Sequence, residues 1–326
     1  MTTASPAPRF VVPETLDPDA LRGFDPAAAV VDLDGETMGT RWRVRLALPG
    51  GHDAGPVGEA IQRRLDGLVA EMSHWDASSL LRRFNRARAG EWISLPPDFA
   101  CVMACGLRVA EQSGGAFDPA MGRLTDIWGL GPNPVPEPPD EAARAEAMAH
   151  CGWRRLAFDA PAGRLRQPGG LWLDLSGIAK GHAADAVAGM LAERGLFHAM
   201  VEVGGECVGR GMRPDGDPWW VDVELPEGFV LPPLRVALHR LAVATSGDYL
   251  RGAHTLDPAT GLPAIHQTTA VTVIHERCME ADAWATALSV LPTAQARDMA
   301  RDRGLMARLL TRDGNEWFSP ALLRLL

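Results

Sequence analysis

From Thr40 to Leu48 the chain sets Trp42, Val44, Leu46 and Leu48 in alternation with arginines and alanine, the two-residue period of a strand with one buried face. Soon after, Ile61, Leu65, Leu68, Val69 and Met72 recur at helical spacing between Gly58 and Met72. Two periods side by side demand a sheet whose apolar face is covered by helices. The rest of the chain continues the mixture. The spacing predicts a helix from about Pro97 to the Gly114-Gly115 stop signal and another starting near Asp140. Between them, Gly131 to Pro139 carries five prolines and cannot hold regular structure. Trp153–Phe158 with Gly163–Arg166 reads as a hairpin, Leu171–Leu175 as a strand, and Ile178–Arg194 as a helix closed by Gly195. Strands are expected at Ala199–Val203, Trp219–Glu224, Leu234–Leu238, Leu241–Ala244 and Ala270–Ile274, then a helical stretch from about Glu280 to Arg303 and a last strand. Hairpins and helices in this order argue an α+β fold, mixed sheets with flanking helices, rather than a doubly wound parallel sheet.

Residues 1–29 are rich in proline and aspartate without periodicity and read as an extended or partly disordered arm, with the folded domain spanning 30–326. A net charge of −9 gives no electrostatic footprint for nucleic acid. Five cysteines without a CxxC pair fit a reducing compartment, and the start shows no apolar leader, lipobox or twin arginine. A cytoplasmic location is therefore expected, periplasmic only for a chain trimmed of its leader. No membrane span is expected.

Lys180 is the only lysine, in the run Asp174-Leu175-Ser176-Gly177-Ile178-Ala179-Lys180-Gly181. Every other cationic side chain besides histidine is arginine, so this position is a candidate for a compact, rotatable donor. A strand, turn and helix start of this kind aims N–H groups and an ammonium at one point and suits an anion, although GxxxxGK[ST] is absent. Asp174 could accept from a ligand or simply cap the helix. Asp282 and Thr286 lie four apart on one helical face, a sparse oxygen pair of the kind Mg²⁺ tolerates and also of the kind ordinary helices carry. Gly114-Gly115 before Ala116-Phe117-Asp118, and Gly204-Gly205 before Glu206, are either ligand-approach loops or plain turns. His254, separated by four residues from Tyr249, the only tyrosine, could serve as a general base, with Asp257 close by and Asp248 as a rival. No GxGxxG, GxSxG or HExxH occurs, which leaves dinucleotide-binding, triad-hydrolase and zinc-protease chemistry without an anchor.

In order, these segments resemble the ApbE family of FAD:protein FMN transferases from about Thr37 to Leu291. The carrying motifs are Thr37-Met38-Gly39-Thr40, Met72-Ser73-His74-Trp75 leading to Arg83-Phe84-Asn85, Gly115 to Pro119, Asp174 to Gly181, Val203 to Glu206, Ala244 to Tyr249 with His254 to Gly261, and Cys278 to Thr286. The resemblance implies a T-fold-related architecture of two subdomains. It implies Mg²⁺-dependent transfer of FMN from FAD to a threonine hydroxyl of an acceptor flavoprotein, with release of AMP. By position, Met38, Trp75, Ala116, Phe117, Asp118, Asp174, Lys180 and Leu256 would contact FAD. Asp282, Thr286 and the carbonyl of Gly177 would hold the metal. Trp75 stands where the family often has tyrosine, which keeps a stacking surface without the hydroxyl. The alternatives are an Mg²⁺-dependent FAD pyrophosphatase giving FMN and AMP, and a flavin-binding protein without catalysis.

Overall fold

The alternating segment is one arm of a hairpin in the computed structural model, which describes residues 7–15, 18–249, 252 and 254–326. Strand β1 (Arg9–Val11) comes first, then β2 (Ala29–Thr37), which turns through Met38-Gly39 into β3 (Thr40–Leu48). Both turn residues have positive φ, 50° and 69°, the backbone that lets a two-residue turn follow the twist of its strands. Along β3, Trp42, Val44, Leu46 and Leu48 enter the main core while Ala47 enters a second core on the opposite face. Helix α1 (Ala54–Met72) buries Ile61, Leu65, Leu68 and Met72, and Asp53 caps it by accepting the Gly55 N–H at 3.0 Å.

After α2 (Leu80–Arg86) the chain makes an excursion through β4 (Trp92–Ser94), α3 (Pro97–Gln112), α4 (Gly122–Ile127), α5 (Glu141–Ala149), β5 (Ala157–Asp159) and β6 (Arg164–Arg166). Strands β4, β6 and β5 form a small antiparallel sheet. The proline-rich stretch 131–139 holds no helix or strand, and Asp140 caps α5 by accepting the Ala143 N–H at 2.8 Å.

The chain then returns through α6 (Ala179–Glu193), β7 (Ala199–Val203), β8 (Glu206–Arg210), β9 (Trp220–Val223) and β10 (Leu234–Ala237). It ends with β11 (Ala242–Gly247), β12 (Thr268–His275), α7 (Cys278–Val290), α8 (Thr293–Asp302), β13 (Met306–Thr311), β14 (Glu316–Phe318) and α9 (Pro320–Leu323). Eight strands make the main sheet in the order β14-β13-β12-β11-β8-β7-β3-β2, and every neighbouring pair is antiparallel. Helices α1, α6 and α7 pack on one face. On the other lies the sheet β1-β10-β9, over a core that includes Val11, Met200, Cys207, Trp219, Val236 and Ile274. The fold is α+β, as the mixed periodicities require.

Several local readings are refined or corrected by the structure. Leu171–Leu175 is not a strand: Leu173 N–H donates to Asn85 Oδ1 at 2.9 Å and Asp174 N–H to Pro119 O at 2.9 Å, so side chain and loop take the bonds that a ladder would use. The stretch from Glu280 to Arg303 is two helices, parted at Leu291-Pro292 because proline ends the helical backbone before it. Trp153–Arg155 is a turn of 3₁₀ helix ahead of β5. Two strands are not among the expected ones: β2, although Asp32, Asp34 and Glu36 alternate with the half-buried Val31 and Leu33, and β8, buried at four of its five positions and so without alternation. Within the arm expected at 1–29, Arg9–Val11 pairs parallel to β10 with Val11 fully buried, while residues 1–6, 16 and 17 lie outside the described residues.

Candidate active site

Helix α7 is buried at every position except Thr286 and Ser289, which explains its alanines: a helix apolar on all sides belongs inside. Its start has no cap of its own. Asp185 of α6 supplies one, accepting the N–H groups of Cys278 and Met279 at 3.0 Å each. The two helices touch at glycines. A Cβ on Gly181 would sit 2.4 Å from the Cys278 carbonyl oxygen, and one on Gly177 would sit 2.8 Å from Thr286 Oγ1. This approach brings Thr286 Oγ1 to 3.5 Å from Gly177 O across 109 residues of sequence. It also lets Gly181 N–H donate to Asp282 Oδ2 at 3.0 Å.

Lys180 leaves the first turn of α6 and forms an ion pair with Glu206 at the start of β8. Burial alone would lower the lysine pKa, but the carboxylates of Asp282 and Glu206 outweigh it and hold the ammonium above its usual range. Burial pushes both carboxylates upward, and Lys180 opposes that push in each. One ammonium thus sits among two buried acids, and the trio carries net negative charge when all three are ionised.

Asp174 and Asp118 are neighbours with opposite behaviour. The two loops are joined where Asp174 N–H meets Pro119 O. Burial would raise Asp174, but His74 and hydrogen bonds from Ser176 and Thr125 override it and hold the carboxyl below its ordinary value. The donors are Thr125 Oγ1 at 2.5 Å, Ser176 Oγ at 2.6 Å and Ser176 N–H at 2.9 Å, with His74 Nδ1 3.9 Å away. Asp118 lacks such help. Burial raises it to about 6, opposed by N–H bonds from Ala120 and Trp153. Ala116 and Phe117 beside it are buried, so most of their surface belongs to the core.

The remaining expected residues lie on turns and loops. Met38 occupies the β2–β3 turn. Trp75 is 62% exposed, its ring 5.4 Å from that of His74, an apolar face left open to solvent. Leu256 is buried with Met121, Leu124 and Ala147, which docks its loop against α4 and α5. Trp128 Nε1 reinforces that contact by donating to Gly261 O at 2.9 Å. Asp257 is engaged in its own turn, accepting from Ala259 N–H at 2.8 Å and Thr260 Oγ1 at 3.0 Å. His254 Nδ1 lies 2.9 Å from Gly252 O. A carbonyl can only accept, so in the neutral ring Nδ1 bears the proton and Nε2 keeps its lone pair. Asp248 is held by Arg312 and by Thr269 Oγ1, the latter at 2.8 Å, which occupies the oxygens a base would use.

The structure therefore brings Gly177, Lys180, Asp282 and Thr286 to one seam and Asp118 and Asp174 to a joined pair of loops. His254, Leu256 and Asp257 share a separate loop. Among the described residues no group of three or more His, Cys, Asp and Glu could hold a metal. The seam nevertheless offers a carboxylate, a hydroxyl and a carbonyl, hard oxygens that suit Mg²⁺ with positions left open. Their cradle would be filled by any Cβ at position 177. Sequence reasoning did not find Glu206, Thr125, Ser176, His74 or Asp185 as partners. Only Glu206 had a signal, since a Gly-Gly pair read as a hairpin turn puts the next residue at the head of a strand, beside the preceding motif.

The chain is 33% identical to "FAD:protein FMN transferase" of Klebsiella pneumoniae, over 90% of its length and 89% of the relative's. It is 33% identical to the protein so named from Haemophilus influenzae, over 88% of each. The structure of "Flavin Transferase ApbE from Vibrio cholerae" superimposes with a TM-score of 0.86 at 30% identity, covering 92% of this chain and all (100%) of that one. The ApbE family pattern matches residues 38–309. By sequence and by structure, the chain belongs to the ApbE family.

Proposed function

We propose that the chain is an FAD:protein FMN transferase that moves FMN from FAD to a threonine hydroxyl of an acceptor flavoprotein. The observation that carries this reading is the seam where Gly177 O, Thr286 Oγ1 and Asp282 meet beside the Lys180 ammonium. Asp282, Thr286 and Gly177 O would hold Mg²⁺, which when bound draws charge from the diphosphate oxygens. Lys180 adds a fixed positive charge next to the same oxygens, stabilising them as the transferred phosphoryl group passes between partners. Met38, Trp75, Ala116, Phe117, Asp118, Asp174 and Leu256 bind and orient FAD, with Trp75 offering its exposed face for stacking.

His254 Nε2 takes the threonine proton while Nδ1–H remains on Gly252 O, and Asp257 stiffens the turn that follows. A bond forms between threonine oxygen and the FMN phosphorus, the phosphorus–oxygen bond to AMP breaks, and AMP leaves with its phosphate. No helix of the described residues is long and apolar enough to cross a membrane. All five cysteines are unpaired, which suits a reducing, cytoplasmic setting.

The purified protein with FAD, Mg²⁺ and a candidate flavoprotein domain should add one FMN mass to the acceptor and release one AMP. AMP without acceptor gain, across several acceptors, would instead identify a pyrophosphatase. His254→Ala should keep FAD binding and lose transfer by on the order of 10²- to 10⁴-fold. Transfer at the parent rate by that variant rejects the histidine as base.

A further inference from the structure

Glu206 is only 4% exposed, yet one of its oxygens has no hydrogen-bond partner. The other meets Lys180. An incompletely satisfied carboxylate in the interior is expensive, so its presence beside the seam calls for an account. Lys180 is within electrostatic reach of two acids, Glu206 and Asp282, but its ammonium contacts Glu206. Asp282 gives Oδ2 to the Gly181 N–H, which leaves Oδ1 for anything else. A buried ammonium that lost its partner would turn to the nearest remaining carboxylate, because an unpaired charge in a low-dielectric interior costs more than the rearrangement.

We propose that Glu206 is a positioning residue: it holds the Lys180 ammonium on the β8 side of the seam, away from Asp282, and so keeps an Asp282 oxygen free for a cation. The turn Gly204-Gly205 fixes Glu206 at the head of β8, and the Gly204 N–H is in turn tied to Arg41 O at 2.9 Å. Lys180 is thereby aimed from α6 toward the sheet while Asp282 faces α6 from α7. The inference rests on the reading of Gly177, Asp282 and Thr286 as cation ligands.

The single lysine makes the test direct, since ¹³C,¹⁵N-lysine labelling gives one side-chain signal for the whole chain. Mn²⁺ binding, followed by electron paramagnetic resonance, is compared in the parent, Glu206→Gln, and Glu206→Gln combined with Lys180→Met. Glu206→Gln should shift the lysine signal and weaken Mn²⁺ binding on the order of tenfold, because the freed ammonium competes for Asp282. The double variant should return to within about threefold of the parent, the competitor having been removed. A double variant no tighter than Glu206→Gln overturns the proposal, since Glu206 would then be serving as a ligand or as packing. Parent-like Mn²⁺ binding by Glu206→Gln also overturns it while leaving the cation reading intact. Absence of Mn²⁺ binding by the parent overturns both. Should Glu206→Gln melt below the assay temperature, Glu206→Asp carries the test: its charge is kept but drawn back by one methylene, and unchanged Mn²⁺ binding in that variant together with a shifted lysine signal refutes the positioning role.

Discussion

The seam between α6 and α7 and the loops around it are built on different principles. In the seam, polar groups are held by the core itself: Asp282 is 5% exposed and its neighbours on α7 are alanines packed against α6. In the rim, Trp75 stands largely in solvent and His254 relies on a bond to the backbone two residues away. The seam cannot change without disturbing the fold, whereas the rim can be altered with little effect on stability. Substitutions should therefore split into two classes: stability and function lost together in the seam, function alone in the rim.

Gly181→Ala is the strongest challenge to that division. Alanine would favour the helix by up to about 1 kcal/mol in isolation, but its Cβ would meet the Cys278 carbonyl oxygen at 2.4 Å and Asp282 Cβ at 2.8 Å. Backbone cannot swing aside as a side-chain tip can. The expected net cost is about 2–3 kcal/mol, read as a lower midpoint in denaturant, with cation binding weakened because α6 and α7 must separate. A variant as stable as the parent would show that the seam is looser than the packing implies.

The second test lies where seam and rim join, at Asp118 and Asp174. Because the folded pKa of Asp118 is raised from 3.8 to about 6, folding favours its neutral form. Its contribution is complete below about pH 4 and is lost as the pH rises through 6, roughly 2–3 kcal/mol in all at 1.36 kcal/mol per unit. Asp174 has its folded pKa lowered, so its contribution is present above the unfolded value and lost as pH falls through the folded one. Stability curves of the parent and of Asp118→Asn, measured by denaturant titration from pH 4 to 7, should diverge as the pH rises. Parallel curves would mean that Asp118 is ionised in the fold like any surface acid.

The same contrast governs what could be read in the sequence. Periodicity located α1, β3 and α3 because each buries one defined face, Gly195 marked the end of α6, and the largely apolar run 199–203 marked β7 although both its faces are buried; the mixture was enough for the α+β class. The pattern was silent on β8, whose burial on both faces removes alternation. It also misread Leu171–Leu175, where an asparagine 88 residues away takes the ladder bond. In the seam, local pattern marked Lys180 and the four-residue spacing marked Asp282 and Thr286, while the Gly177 carbonyl came from the resemblance alone. Glu206, which pairs with Lys180, Asp185, which caps α7, and Thr125, which bonds Asp174, are set by tertiary contact, and a threonine or aspartate on an ordinary helix carries no mark of the element it will meet. In the rim, Trp75 is singled out only by resemblance, since it has no periodic neighbour to explain it, whereas His254 stands out in the sequence only as one possible base beside Asp257 and Asp248.

Trp75 gives the smallest effect and the cleanest view of the rim. At 62% exposure, with its ring 5.4 Å from that of His74, it contributes little to the core, so Trp75→Ala should stay within about 0.5 kcal/mol of the parent in stability. What it loses is a flat surface. If FAD stacks there, affinity should fall about fivefold to tenfold, corresponding to the roughly 1 kcal/mol typical of one aromatic pair, and Trp75→Tyr should recover most of it. Flavin fluorescence titration measures both variants against the parent. Unchanged affinity in Trp75→Ala would leave this ring outside the ligand's reach, and the rim would then be defined by Met38 and the His254 loop, each braced by backbone bonds or by burial rather than standing free.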